Sequence, residues 1–254
     1  MSFACLSRIW VYFYHADVLL GGVMINIDYP EIVFEDNHVL VAVKSAGVLS
    51  QSDGTDAPDM LTQLKAYLKD KYNKPGDAYL GLLHRLDRNV SGLMVFAKTS
   101  KCASRLSEQI RSGRVRKGYC AIVSGHIEKR SDTLISYLIK DENMNMVRVL
   151  DNEVLNSKFA KLSYEVKGYA TRDDKEYSLL QIELVTGRSH QIRAQFAHIG
   201  YPLIGDTKYG VKNSRTSICL QSNYLGFYHP INGEFLEYTI DRPNVKPWTY
   251  FESN

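Results

Sequence analysis

Apolar positions along the chain change period several times, and each change marks an element. Residues 38–44 (HVLVAVK) form a short β-branched run that predicts a strand, leading into the Gly47-containing loop AGVLSQSDG. The period then turns helical: Met60, Leu61, Leu64, Tyr67 and Leu68 recur at helical spacing until Asn73, Pro75 and Gly76 break the pattern. Asp56 is placed to cap this helix, and Pro58 is tolerated in its first turn. Residues 79–83 and the run GLMVFAK then read as two extended segments, and the polar stretch HRLDRNVS between them predicts an exposed loop. A second helix starts at a Ser100 cap, carries Ala103, Leu106 and Ile110 on one face, and ends at Gly113.

The segments RKGYCAIVSG, TLISYLIK, MVRVL, KFAKLSYEV and EYSLLQIELV all favour strands, the last with clear alternation. Ser189 is placed to cap a short helix, SHQIRAQFAHIG, in which Ile192, Phe196 and Ile199 fall on one stripe, and strands resume near SICLQS and EFLEYTI. Consecutive strands with helices interspersed irregularly predict an α+β fold. They lack the regular alternation of a doubly wound parallel sheet.

Composition fits this picture without sharpening it. With 254 residues, 44% hydrophobic and 23% charged, the chain suits a single domain with a sizeable core, and its scattered Pro and Gly leave neither linker nor repeat period. Residues 24–254 are expected to form that domain, because an ordinary domain sequence (MINIDYPEIVFEDNHVLVAV) starts at Met24. Residues 1–23, apolar but broken by His15 and Asp17 and without a secretion-signal pattern, are expected to be a dispensable N-terminal extension upstream of the true start. No segment reaches the roughly 18 consecutive apolar residues of a membrane span. Cys5, Cys102, Cys120 and Cys219 lie far apart with no CxxC pair, which argues against zinc and a disulfide framework and for a soluble, cytoplasmic protein.

A net charge of +3 says little about nucleic acid, but the basic residues cluster. Residues 98–118 carry Lys98, Lys101, Arg105, Arg111, Arg114, Arg116 and Lys117 against one acid, Glu108. Taken alone, such a run reads as a solvated helix face.

Catalytic signatures narrow the chemistry mainly by their absence. The sequence has no P-loop, GxSxG, HExxH or GxGxxG, and its seven histidines show no metal-ligand spacing. Two polar constellations remain, HRLDRNVSG (84–92) and TGRSHQIR (186–193), each at the end of an apolar strand. An Asp flanked by Arg85 and Arg88 stays ionised, and an ionised carboxylate is a potential nucleophile. A lone loop Asp more often fixes a turn, so Asp87 alone decides nothing. In the second constellation Arg188 precedes the helix. Arg193 lies in its early turns, away from Ile192 and Phe196, facing the helix N-terminus where anions are favoured.

HRLD followed by SGLMVFAK, a basic helix, KGYCAIVSG, TGRSHQIR and AHIGYPLIGDTKYG, in this order, resembles the RluA-type pseudouridine synthase family from about residue 37 to about residue 238. The resemblance implies a single catalytic domain with a central, mostly antiparallel mixed β-sheet flanked by helices and loops. It implies isomerisation of uridine in rRNA or tRNA to pseudouridine without cofactor or metal. Asp87 matches the catalytic residue, Tyr119 the ring that lies against the uracil, and Arg193 the partner that keeps Asp87 charged. Arg85 matches the arginine that enters the space left by a flipped nucleotide. Two positions depart from the family pattern: Lys44-Ser45-Ala46-Gly47 stands where Lys-Pro-Ala-Gly is usual, and Val90 where Thr is usual.

Flipping a stacked base costs a few kcal/mol, which ring stacking and arginine insertion offset. The basic run then becomes an RNA-facing surface. The expected RNA and base contacts are His84, Arg85, Arg88, Arg188, His190, Gln191, Lys98, Arg105, Arg111, Arg114, Arg116 and Lys117. A monomer that needs neither a membrane nor an obligatory protein partner is the simplest expectation. Two other readings compete: an RNA-binding protein of the same fold without catalysis, and a hydrolase using Asp87 and His190. The first needs the basic face but not the carboxylate, and the second releases a product.

Overall fold

The computed structural model describes residues 15–20, 23–212, 214 and 216–251. Strands β1 (His15–Leu20) and β2 (Val23–Asp28) pair antiparallel as a separate two-stranded sheet. Of the expected N-terminal extension, residues 1–14, 21 and 22 lie outside the described residues.

The remaining strands build one mixed sheet. They are β3 (Ile32–Glu35), β4 (Val39–Lys44), β5 (Gly81–Leu82), β6 (Ser91–Ala97), β7 (Arg116–Ser124), β8 (Ser131–Asp141), β9 (Met146–Leu150), β10 (Lys158–Arg172), β11 (Lys175–Leu184), β12 (Leu220–Tyr228) and β13 (Phe235–Thr239). Their order is β3-β4-β6-β12-β7-β11-β10-β8-β9, with β13 on β12 and β5 on β6. The pairing is antiparallel except between β12 and β6, where Gln221 faces Ser91 and Ser222 faces Gly92. The α+β class and the mostly antiparallel mixed sheet thus match the sequence-based expectation.

Among the described residues, three α-helices cover the sheet: α1 (Met60–Lys71), α2 (Ser100–Arg111) and α3 (Gln191–His198). The runs VLVAVK and SGLMVFA are nearly unbroken because both faces of β4 and β6 are buried. Leu40, Ala42, Met94 and Phe96 pack with Met60, Leu64, Tyr67 and Leu68 of α1. Val39, Val41, Leu93, Val95 and Ala97 pack on the opposite face with Cys102 and Leu106 of α2. A side chain as deeply buried as Phe96 contributes about 3–5 kcal/mol against truncation to Ala.

The structure corrects all three helix starts. Asp59, not Asp56, caps α1, accepting the Thr62 N–H at 3.0 Å. Pro58 lies before the helix because Leu49 N–H donates to Pro58 O and Met60 N–H to Leu49 O, which keeps this stretch extended. Thr99, still extended at φ −141°, caps α2 at Cys102, so Ser100 is the first helical residue. At α3 the cap position belongs to His190 rather than Ser189, in the left-handed region at φ 51° and without a capping side-chain bond. Ile199 leaves the predicted stripe as well. The helix stops at His198, and Ile199 is 38% exposed while Ile192 and Phe196 are buried.

Gly92 explains the glycine that closes HRLDRNVSG. It has φ 125°, and a Cβ there would meet Ser222 O at 2.3 Å, so only glycine permits this approach of β6 to β12.

Candidate active site

Between β5 and β6 the chain leaves the sheet as the HRLD loop and returns through a turn closed by Val90 N–H on Asp87 O at 3.0 Å. Two buried polar groups hold this loop from below. Ser50 Oγ accepts the Leu86 N–H at 3.0 Å and donates to Leu86 O at 2.9 Å. Lys44, wholly buried, donates through Nζ to Ser45 O, Val48 O and Arg88 O at 3.0, 2.6 and 2.9 Å. Burial pulls this ammonium down to about 8, against the opposing pull of the Asp87 charge. The motif in which Ser45 replaces the usual Pro therefore latches two loops together, since Gly47 N–H also donates to Arg88 O.

Asp87 opens onto a cleft of about 880 Å³. Arg193 Nη1 donates to Asp87 Oδ2 at 2.8 Å, although the two residues lie 106 positions apart. The same guanidinium donates through Nε and Nη2 to Asp206 Oδ2 and Oδ1 at 2.7 and 2.9 Å. Burial raises Asp206, but the hydrogen bonds and charge of Arg193 outweigh it and hold the carboxyl below its ordinary value. His190 Nε2 lies 3.7 Å from Asp87 Oδ2, and its Nδ1 is 2.9 Å from Tyr209 Oη. Tyr119 on β7 lines the same cleft. Burial and then the Asp87 charge raise its phenol, despite a hydrogen bond with Ser222, so the ring stays neutral.

The expected contact residues divide into three groups. Arg85, Lys117, Arg111, Arg188 and His190 line the cleft, with Arg85, Arg111 and Arg188 exposed. Burial lowers the Lys117 ammonium, and Arg188 is braced by Nε on Phe159 O at 3.0 Å.

A second group is structural. His84 also borders the cleft, but its Nε2 accepts the Val95 N–H at 3.1 Å, and burial drives its imidazole down to about 3. Gln191, 2% exposed, accepts from Thr186 Oγ1 and Arg188 N–H and so shapes the turn into α3. Arg88 does not reach Asp87; its Nε donates to Gly47 O at 3.0 Å. The positive charge on Asp87 is therefore that of Arg193, not of Arg85 and Arg88 as their proximity in sequence implied.

The third group lies on or beside the basic helix and faces other partners. Lys98 is held by Glu35 at 2.6 Å and sits over the Tyr72 ring. Arg105 donates to Pro230 O, Arg114 to Ser112 Oγ, and Arg116 stacks on Phe235. Sequence reasoning missed Lys44, Ser50, Asp206 and Tyr209. The last two lie in GDTKYG, a segment with no chemical pattern of its own. Among the described residues, no group of three or more His, Cys, Asp or Glu is placed to hold a metal ion.

The fold is that of pseudouridine synthase domains. The solved structure of human RNA pseudouridylate synthase domain containing 4 superposes with a TM-score of 0.69 at 20% identity, covering 84% of this chain and 88% of that one. Residues 38–198 match the RNA pseudouridylate synthase family. The chain is 31% identical over 229 residues to the ribosomal large subunit pseudouridine synthase D of Zymomonas mobilis, covering 85% of this chain and 70% of that protein. It is 30% identical over 218 residues to the tRNA pseudouridine synthase C of Haemophilus ducreyi, covering 79% and 86%. The chain belongs to the RluA-type RNA pseudouridine synthase family and is an isomerase of uridine in RNA.

Proposed function

We propose that Asp87 carries the reaction on a uridine of rRNA or tRNA that is flipped into the cleft. The observation that bears most weight is the Arg193–Asp87 pair at 2.8 Å, which fixes Oδ2 of a carboxylate that lines the cleft. The reaction breaks the bond between N1 and the anomeric carbon, turns the uracil, joins C5 to that carbon and returns the C5 proton to water. Attack at the anomeric carbon, addition to the uracil and proton abstraction to a glycal all start from a carboxylate in this position. Tyr119 lies against the uracil and Arg85 fills the gap left in the RNA. The named relatives act on large-subunit rRNA and on tRNA, which supports these two substrate classes. The buried free thiols of Cys102, Cys120 and Cys219 support a reducing, cytoplasmic setting, and the enzyme works as a monomer without cofactor.

RNA carrying tritium at C5 of uridine tests this reading. The protein is expected to release label to water without releasing uracil, whereas Asp87→Asn is expected to bind the same RNA and release none. Binding without release by the unaltered protein would establish an RNA-binding role instead, and free uracil would establish a hydrolase.

A further inference from the structure

His190 stands beside Asp87 in a conformation that needs a reason. A non-glycine residue at φ 51° is uncommon, and no side-chain capping bond to α3 accounts for it. What the left-handed turn achieves is a ring placement. The imidazole meets Tyr209 edge-on at 5.6 Å with Nδ1 on the phenol oxygen, while Nε2 points to the side of Asp87.

The hydrogen-bond chain favours one tautomer. Val147 N–H donates to Tyr209 Oη at 2.7 Å. Among the described residues the phenol proton has no other acceptor than His190 Nδ1 at 2.9 Å, and with Tyr209 as the donor the ring proton is on Nε2. Burial above all, together with the Arg193 charge, disfavours the imidazolium and outweighs Asp87 and Asp206, so the ring is neutral. Lys208 adds to the positive side of this balance. At 3.7 Å from Oδ2 the Nε2–H is too far for a hydrogen bond to the carboxylate. Among the described residues this donor, on a ring that lines the cleft beside Asp87, has no hydrogen-bond acceptor.

We propose that His190 is a further catalytic residue: its neutral imidazole donates Nε2–H to an oxygen of the flipped nucleotide beside Asp87, and Tyr209 is the positioning residue that sets this tautomer. Tyr209 serves the carboxylate twice over, since its ring also carries the Arg193 guanidinium at 5.3 Å. The inference rests on the reading of Asp87 given above.

Two measurements test it separately from that reading. The first is the ¹⁵N signature of the His190 ring in the uncomplexed protein, which does not depend on turnover. The Nε2–H tautomer is expected, giving way to a mixture in Tyr209→Phe; an Nδ1–H tautomer in the unaltered protein would overturn the assignment. The second compares His190→Asn with His190→Gln. Asn accepts the left-handed backbone, so the variant folds, but its amide stops short of the Nε2 position. Turnover of His190→Asn at saturating RNA is expected to fall about tenfold to hundredfold, the worth of one donor to a group gaining charge. Its KM for RNA stays unchanged, and His190→Gln, whose amide reaches the Nε2 position, recovers most of the loss. Full activity in His190→Asn beside an inactive Asp87→Asn would overturn the proposal while leaving the role of Asp87 intact.

Discussion

Asp206 grips Arg193 through both carboxylate oxygens, at 2.7 Å from Nε and 2.9 Å from Nη2, and so aims the remaining Nη1 at Asp87. The Asp206 side chain has no solvent exposure and also accepts the backbone N–H groups of Lys208 and Tyr209. The acid that orients the arginine is thus itself fixed by the loop after α3. A fork-shaped guanidinium can serve both acids at once, which a lysine ammonium cannot.

Asp206→Asn keeps the volume but removes the charge that opposes Arg193. Breaking a buried pair by removing one partner costs about 3–5 kcal/mol, and a shift of this order is expected in urea unfolding. Because the folded pKa of Asp206 is depressed, its contribution is complete above the ordinary carboxyl value and is lost as pH falls below it. The stability gap between the two proteins therefore narrows toward acid pH. Turnover drops with it, because Nη1 is no longer aimed; an Asn variant as stable and active as the parent would show that Arg193 is held by other means.

Gly92→Ala tests why the HRLD segment must end in glycine. The added Cβ meets Ser222 O, N and C at 2.3, 2.6 and 2.8 Å, all backbone atoms of β12, at a φ that L side chains rarely adopt. Strain and overpacking together are expected to cost about 3 kcal/mol or more, and a Tm within a degree or two of the parent's would contradict the close approach of these strands.

Glu35 predicts the acid limit of the fold. Burial raises its carboxyl, but Lys71, Lys98, Tyr72 and Tyr67 all donate to it and bring it to about 2, from an ordinary 4.5. A depressed carboxyl contributes stability that is present above about 4.5 and is lost as pH falls toward about 2. Glu35→Gln is expected to lower Tm near neutral pH, with the difference from the parent shrinking through that window. A pH-independent difference would mean that the ion pairs contribute nothing.

How far the sequence carried this picture depended on whether a feature is local. The strands β4 and β6, the body of each helix and the α+β class were legible because apolar period is written into consecutive residues. Cap positions were not, because Asp59 rather than Asp56 wins through the isolated bridge of residues 58–60 with Leu49. The site divided in the same way. Family resemblance brought Asp87, Tyr119 and Arg193 together, but Asp206, Tyr209, Ser50 and Lys44 act through backbone carbonyls, one guanidinium and one imidazole, none of which leaves a spacing to read. The partners of the basic run were hidden for the same reason: its charges are adjacent in sequence, but Glu35, Pro230 and Phe235 reach several of them from distant strands and loops.

Lys98 and Lys117 turn that last contrast into a prediction. Both belong to the basic run, yet Lys117 lines the cleft beside Asp87 while the Lys98 side chain, 9% exposed, is spent on Glu35. A lysine that meets a phosphate releases a counterion, so Lys117→Met is expected to weaken RNA binding across sequences and lower the slope of log K against log salt by about 1. Lys98→Met is expected to leave both affinity and slope unchanged and instead lower Tm, because it strips one donor from a buried carboxylate. Fluorescence titration at several salt concentrations, with thermal unfolding of the same samples, separates the two. A salt slope altered equally by both variants would place Lys98 on the RNA after all and remove the distinction between cleft and helix charges.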